Sequence, residues 1–132
     1  MSLGTDINNP FDLRAGTPWK GVIGERNGFA MFNTLENGLR AGMVDLHVAW
    51  KRDGLNSIDA IVRKYAPPSE NETTTYINGV CSFTGWGRYD PLDLDNVASL
   101  SLIGSAFLRQ EQGADYIVDG AILQQAAESA LA

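Results

Sequence analysis

Apolar residues recur along this chain in two rhythms, and the change between them separates a short extended region from a longer helical one. Residues 19–24 and 28–32 are two brief runs rich in apolar and aromatic side chains, flanking Arg26-Asn27-Gly28. Asn-Gly supplies the positive φ angles of a tight turn, so the pattern predicts an antiparallel hairpin. After it the period lengthens. Leu39, Met43, Leu46 and Trp50 follow at offsets of four, three and four, the apolar stripe of a helix of several turns. Asn33-Thr34-Leu35-Glu36 has the form of a capping box at its start, and Asp53-Gly54 marks its end.

The same signals predict the remaining helices. Asn56 or Ser57 caps a segment whose Ile58, Ile61, Val62 and Tyr65 face inward and which Pro67-Pro68 stops. Ser69-Glu70-Asn71-Glu72 is a second capping box, opening a helix that buries Thr73 or Tyr76, Ile77, Val80 and Cys81. Asp95 or Asn96 caps a helix carrying Val97, Leu100, Ile103, Gly104 and Phe107 toward the core and ending at Glu111. Gly104 in its middle costs about 1 kcal/mol against alanine, which implies close approach by another helix. A last helix starts near Asp119 with Ile122, Leu123, Ala126 and Ala130 on one side. Residues 6–17 and 85–93 carry turn chemistry and are expected as loops. The expected fold class is α+β, mainly helical: four or five helices and one short β-hairpin in a single domain spanning residues 1–132.

Composition narrows the function. The net charge of −6 makes a phosphate backbone an unfavourable partner, so nucleic acid is not expected. Arg14, Lys20, Arg26 and Arg40 are separated by glycines, acids and apolar residues and read as a solvated face. One cysteine, Cys81, excludes an intrachain disulfide and leaves too few thiols for a zinc ribbon. His47 is also single, and its helical setting reads as core or boundary. No metal motif, phosphate loop or dinucleotide fingerprint is present, so no metal or cofactor is expected. No segment approaches the length of a membrane span, and residues 1–20 lack the basic and apolar regions of a signal peptide, so synthesis in the cytoplasm is expected.

Carboxylates carry the candidate chemistry. Glu111 ends an apolar helix two residues before Gly113, where the partial negative charge of the helix terminus, together with partial burial, favours a proton over an anion. A general acid that protonates a glycosidic oxygen near neutral pH needs such a carboxyl group. The plain alternative is a solvated residue ahead of a glycine cap. Glu25, at the tip of the expected hairpin, is the candidate second acid, although an exposed tip also accounts for it. Glu36, Glu70 and Glu72 sit at helix N-termini, which favour the ionised form; Glu70 therefore suits a base or binding role. Asn8, Asn9 and Arg14 are candidates for hydrogen bonds to N-acetyl groups or peptide carboxylates, while asparagines before a proline also close turns. Trp19, Trp86 and Tyr89 offer flat faces for a sugar ring, or simple packing.

Two resemblances add to this reading. Asn8-Asn9-Pro10-Phe11-Asp12-Leu13-Arg14, Trp19-Lys20-Gly21, residues 29–32 and Gly38-Leu39-Arg40-Ala41 resemble a family of small phage and prophage virion-associated or structural proteins. Gly54-Leu55-Asn56-Ser57-Ile58 and Ala66-Pro67-Pro68-Ser69-Glu70-Asn71-Glu72-Thr73 are similar to that family's middle region. Residues 106–113 are similar to the helix of lysozyme-like lytic transglycosylases that ends in their catalytic glutamate, with Gln112 where those enzymes have serine. The asparagine-rich opening, the tryptophan-containing hairpin and Gly38-Leu39-Arg40 resemble the part of bacterial glucosaminidases that follows their catalytic glutamate. Here that order is reversed, as in a circularly permuted lysozyme-like domain, which requires Glu111 to lie beside the loop of residues 8–14. These resemblances imply a phage or prophage protein, in the virion or at the host cell envelope, that binds and cleaves peptidoglycan glycan strands. The alternative they imply is a non-enzymatic virion component, with other virion proteins as partners, that keeps a lysozyme-like scaffold for assembly or wall attachment.

Overall fold

The structure, a computed structural model, describes residues 3–67 and 72–132. Two strands, β1 (Val22–Arg26) and β2 (Phe29–Phe32), form the expected antiparallel hairpin. Asn27 and Gly28 take φ of 53° and 84° at its tip, as the sequence requires. The first strand is shorter than expected because residues 19–21 turn instead, with the Val22 amide donating to the Trp19 carbonyl. A bulge between Val22 and Gly24 breaks the register and leaves Ile23 exposed.

Six helices are present among the described residues: α1 (Leu3–Asp6), α2 (Leu35–Lys51), α3 (Ile58–Tyr65), α4 (Thr73–Thr84), α5 (Val97–Gln112) and α6 (Gly120–Leu131). The architecture is therefore mainly helical α+β. The single turn α1 was not expected, because one turn offers too few positions for a hydrophobic period to show. Thr34, Ser57, Asn96 and Asp119 cap α2, α3, α5 and α6 through their side chains. For α2 this corrects the capping box by one residue: Thr34 accepts from the Asn37 amide, so Glu36 falls one place short of the reciprocal position. The expected box at residues 69–72 lies largely outside the described residues, and Glu72 precedes α4 with no side-chain cap bond.

Helix α2 packs against α3, α5, α6 and β2, while α5 packs against α2, α4 and α6. Leu39, Met43 and Leu46 of α2 meet Leu100, Ile103 and Phe107 of α5 in the core, each almost fully buried. Burying one such side chain contributes about 2 kcal/mol. Gly104 lets α5 approach α2 as its position implied: a Cβ there would sit 2.5 Å from Cε of Met43. Gly38 admits the opening loop in the same way, since a Cβ would fall 1.7 Å from the Asn8 carbonyl oxygen. The loop runs alongside β2, with Ala15 donating to the Gly28 carbonyl and Ala30 to that of Leu13. It is thereby pinned between the hairpin and the helices.

Candidate active site

Several segments converge on one open cleft of about 790 Å³. The opening loop contributes Asp12 and Arg14, and Trp19 follows on the approach to the hairpin. Asp45 comes from α2, Lys64 and Tyr65 from α3, Tyr76 from α4 and Glu111 from α5. Glu111 thus lies on the same cleft as the loop that carries Asp12 and Arg14, and Trp19 lines it with them. A cleft of this size suits a ligand of several rings' width.

The floor is a row of acids and phenols. The Tyr76 hydroxyl donates to Glu111 Oε2 at 2.7 Å, and Tyr65 donates to Asp45. Both rings stand edge-on to Phe107, with centroids 5.4 Å from it, so the core fixes where the two hydroxyls point. Burial raises both phenols well above their ordinary range, which keeps them hydrogen-bond donors. Asp12 lines the same cleft as Glu111 and acts on it electrostatically. The Glu111 carboxyl is pushed up to about 7, first by burial and then by the neighbouring Asp12, while the Tyr76 bond acts in the opposite sense. Of the two causes expected from sequence, helix terminus and partial burial, burial is the leading one here.

Asp12 is held with equal care. Its backbone takes a φ of 55°, a left-handed conformation that Asp tolerates better than most residues. The Gln112 amide donates to the Pro10 carbonyl at 2.8 Å and lies 3.4 and 3.3 Å from the two Asp12 carboxylate oxygens. Gln112 thus ties the end of α5 to the opening loop. Gly4 of α1 closes the arrangement, since a Cβ there would meet Asp12 Oδ1 at 2.3 Å and the Asn9 carbonyl oxygen at 2.4 Å. Burial raises the Asp12 carboxyl, opposed by its bond to Gln112 and by the charge of Arg14.

Other candidates fall elsewhere. Glu25 is exposed on β1, paired in register with Ala30, and does not line the cleft. The reason is the strand itself, which carries its side chain to the solvent face of the hairpin. Asn9 is fully buried and committed: its amide donates to the Leu13 and Ala30 carbonyls, and its oxygen accepts from the Leu13 amide, each at 2.9 Å. Asn8, with a φ of 56°, donates to the Phe32 carbonyl. Both asparagines are tethers of the loop rather than groups directed into the cleft. Trp86 packs against the core, and Tyr89 is exposed beneath the Arg88 guanidinium; neither reaches the cleft. Glu70 lies outside the described residues.

Asp12, Asp45, Tyr65, Tyr76 and Gln112 were missed as site residues. Asp12 was within the loop already singled out, but nothing local distinguishes it from a turn residue. The tyrosines fit the inward stripe of their helices, and a core reading accounted for them. Among the described residues, no group of three or more His, Cys, Asp or Glu side chains is arranged to hold a metal ion, and no helix is long and apolar enough to cross a membrane. His47 sits at the boundary of α2, 2.7 Å from Asp95.

No known family profile matches the chain. It is similar to Protein P5 of Pseudoalteromonas phage PM2, with 32% identity over 114 residues, covering 82% of this chain and 69% of that protein. At that identity over most of both sequences, the chain belongs to the phage protein family that includes Protein P5.

Proposed function

We propose that this phage protein binds peptidoglycan glycan strands in the Glu111 cleft and cleaves them with Glu111 as general acid. The observation that carries the reading is a largely buried carboxyl, pushed up to about 7, facing an open cleft of about 790 Å³. Such a group is about half protonated at neutral pH, and so able to give a proton up there. Trp19 supplies a flat ring on the cleft wall and Arg14 a cation at its edge, both suited to a sugar with an acidic substituent. The adjacency of the glutamate-bearing helix and the asparagine-rich loop supports a circularly permuted lysozyme-like scaffold. With Glu25 outside the cleft, the favoured route is lytic transglycosylation, in which a sugar hydroxyl closes on the anomeric carbon and one glutamate suffices. Membership in a phage protein family supports a place in the virion or at the host envelope, with other virion proteins as partners.

Clearing of purified peptidoglycan by the protein and by Glu111→Gln, with mass analysis of the products, tests this. Clearing that is lost on substitution and leaves anhydro-sugar ends is the expected result; reducing ends indicate hydrolysis instead. Clearing that survives substitution refutes Glu111 as the acid. Absence of clearing by both proteins refutes the enzymatic reading and favours a non-enzymatic virion component.

A further inference from the structure

Asp45 lines the cleft with no task in a one-glutamate mechanism. It sits half-buried in the middle of α2, where partial removal from water disfavours a charge. Among the described residues its one hydrogen bond is from the Tyr65 hydroxyl, which donates to Oδ2 and leaves Oδ1 without a donor. No described cation forms an ion pair with it: Lys64, on the same cleft, lies 3.6 Å from Asp53, and Arg52 lies 2.8 Å from that same aspartate. If Asp45 served only as acceptor for a phenol, a neutral asparagine would serve Tyr65 as well without bringing a charge out of water.

Its placement repeats that of Glu111. Each acid accepts from a phenol, Tyr65 for Asp45 and Tyr76 for Glu111, and both phenol rings stand edge-on to Phe107 with centroids 5.4 Å from it. The two rings are therefore no more than twice that distance apart, and the acids they hold come from α2 and α5 to one floor. Carboxyls that act on one glycosidic bond stand about 5–9.5 Å apart, a span that this floor accommodates.

We propose that Asp45 is a second catalytic residue of the cleft: through Oδ1 its carboxylate faces the positive charge that develops on the anomeric carbon and ring oxygen as the glycosidic bond breaks. This role rests on the reading of the cleft as a glycan-cleaving site. Glu111 gives its proton to the leaving oxygen, which keeps the electron pair of the broken bond. The oxocarbenium-like centre left behind is held against Asp45 until a sugar hydroxyl bonds to the anomeric carbon. The proton of that hydroxyl passes to the Glu111 carboxylate, which restores the starting state. Asp45 exchanges no proton and forms no bond in this sequence; it acts through its charge.

Kinetics on purified peptidoglycan separate this role from that of a scaffold residue. Asp45→Asn keeps an oxygen to accept from Tyr65 and removes only the charge, so kcat should fall about 100-fold while KM and melting temperature change little. Parental kcat in that variant, or a kcat loss that comes with a lower melting temperature, overturns the proposal. Calorimetry supplies a readout without turnover. The parent should prefer a disaccharide iminosugar with a protonated ring nitrogen over its uncharged lactam by about tenfold more than Asp45→Asn does; an equal preference in both proteins overturns the proposal. Clearing that Glu111→Gln abolishes and Asp45→Asn leaves intact refutes the role of Asp45 alone. Absence of clearing by the parent refutes the glycan-cleaving reading and this role with it.

Discussion

Glu111→Gln should make the fold more stable, and the gain should grow with pH. In the unfolded chain this carboxyl ionises near 4.5, whereas in the folded protein it is pushed up to about 7. The folded state therefore binds a proton that the unfolded state has already released between those values. Stability from this group is fully present below pH 4.5 and is lost as pH rises through 7, the reverse of a salt-bridged carboxylate. The difference corresponds to roughly 3 kcal/mol. Glutamine resembles the protonated glutamate: its oxygen still accepts from Tyr76, with no charge to desolvate. The substitution should thus leave stability nearly unchanged at pH 4.5 and raise it by up to about 3 kcal/mol at pH 8, or about 10 °C in melting temperature for a chain of this length. Thermal and urea unfolding of both proteins at pH 4.5, 6 and 8 measure this directly. A variant that is destabilised at pH 8, or whose effect is the same at all three values, refutes the account of Glu111 as a buried acid held above its ordinary range.

Other substitutions separate the scaffold from the site. Asn9→Ala removes three buried hydrogen bonds and leaves the Leu13 and Ala30 carbonyls and the Leu13 amide without that partner; a loss of about 3 kcal/mol in urea unfolding is expected. Gly38→Ala drives a methyl group into the Asn8 carbonyl, and because backbone cannot swing aside, a loss of about 2 kcal/mol or more should appear as a lower melting temperature. Glu25→Gln alters an exposed position on β1 and should leave both peptidoglycan clearing and unfolding within about 0.5 kcal/mol of the parent; a large loss of clearing would restore Glu25 as a site residue.

Much of this protein was legible before its structure because the deciding signals are local. Asn27-Gly28 fixes the hairpin turn through backbone sterics. Ser57, Asn96 and Asp119 were each placed, alone or as one of a pair, at a helix start, since a side chain that satisfies free amides acts within three residues. Gly104 announced a close helix contact through its helix-breaking cost, though only the structure names Met43 as the neighbour. Glu111 was singled out because a carboxylate in the last turn of an apolar helix is disfavoured as an anion.

Tertiary structure alone decided what surrounds Glu111. Asp12 and Gln112 are 100 residues apart in sequence, and Tyr76 is 35 residues from the glutamate it contacts. No hydrophobic period or capping rule links such positions; only the packing of α4 and α5 around Phe107, and of the opening loop against β2, brings them together. The same packing turned Asn8 and Asn9 from candidate ligands of a sugar into tethers of the loop, and carried Glu25 to the solvent. Sequence thus determined the hairpin and its turn and the five longer helices, and singled out one acid. The fold decided which groups that acid meets, because burial and a neighbouring charge are properties of the assembled chain and not of any stretch of it.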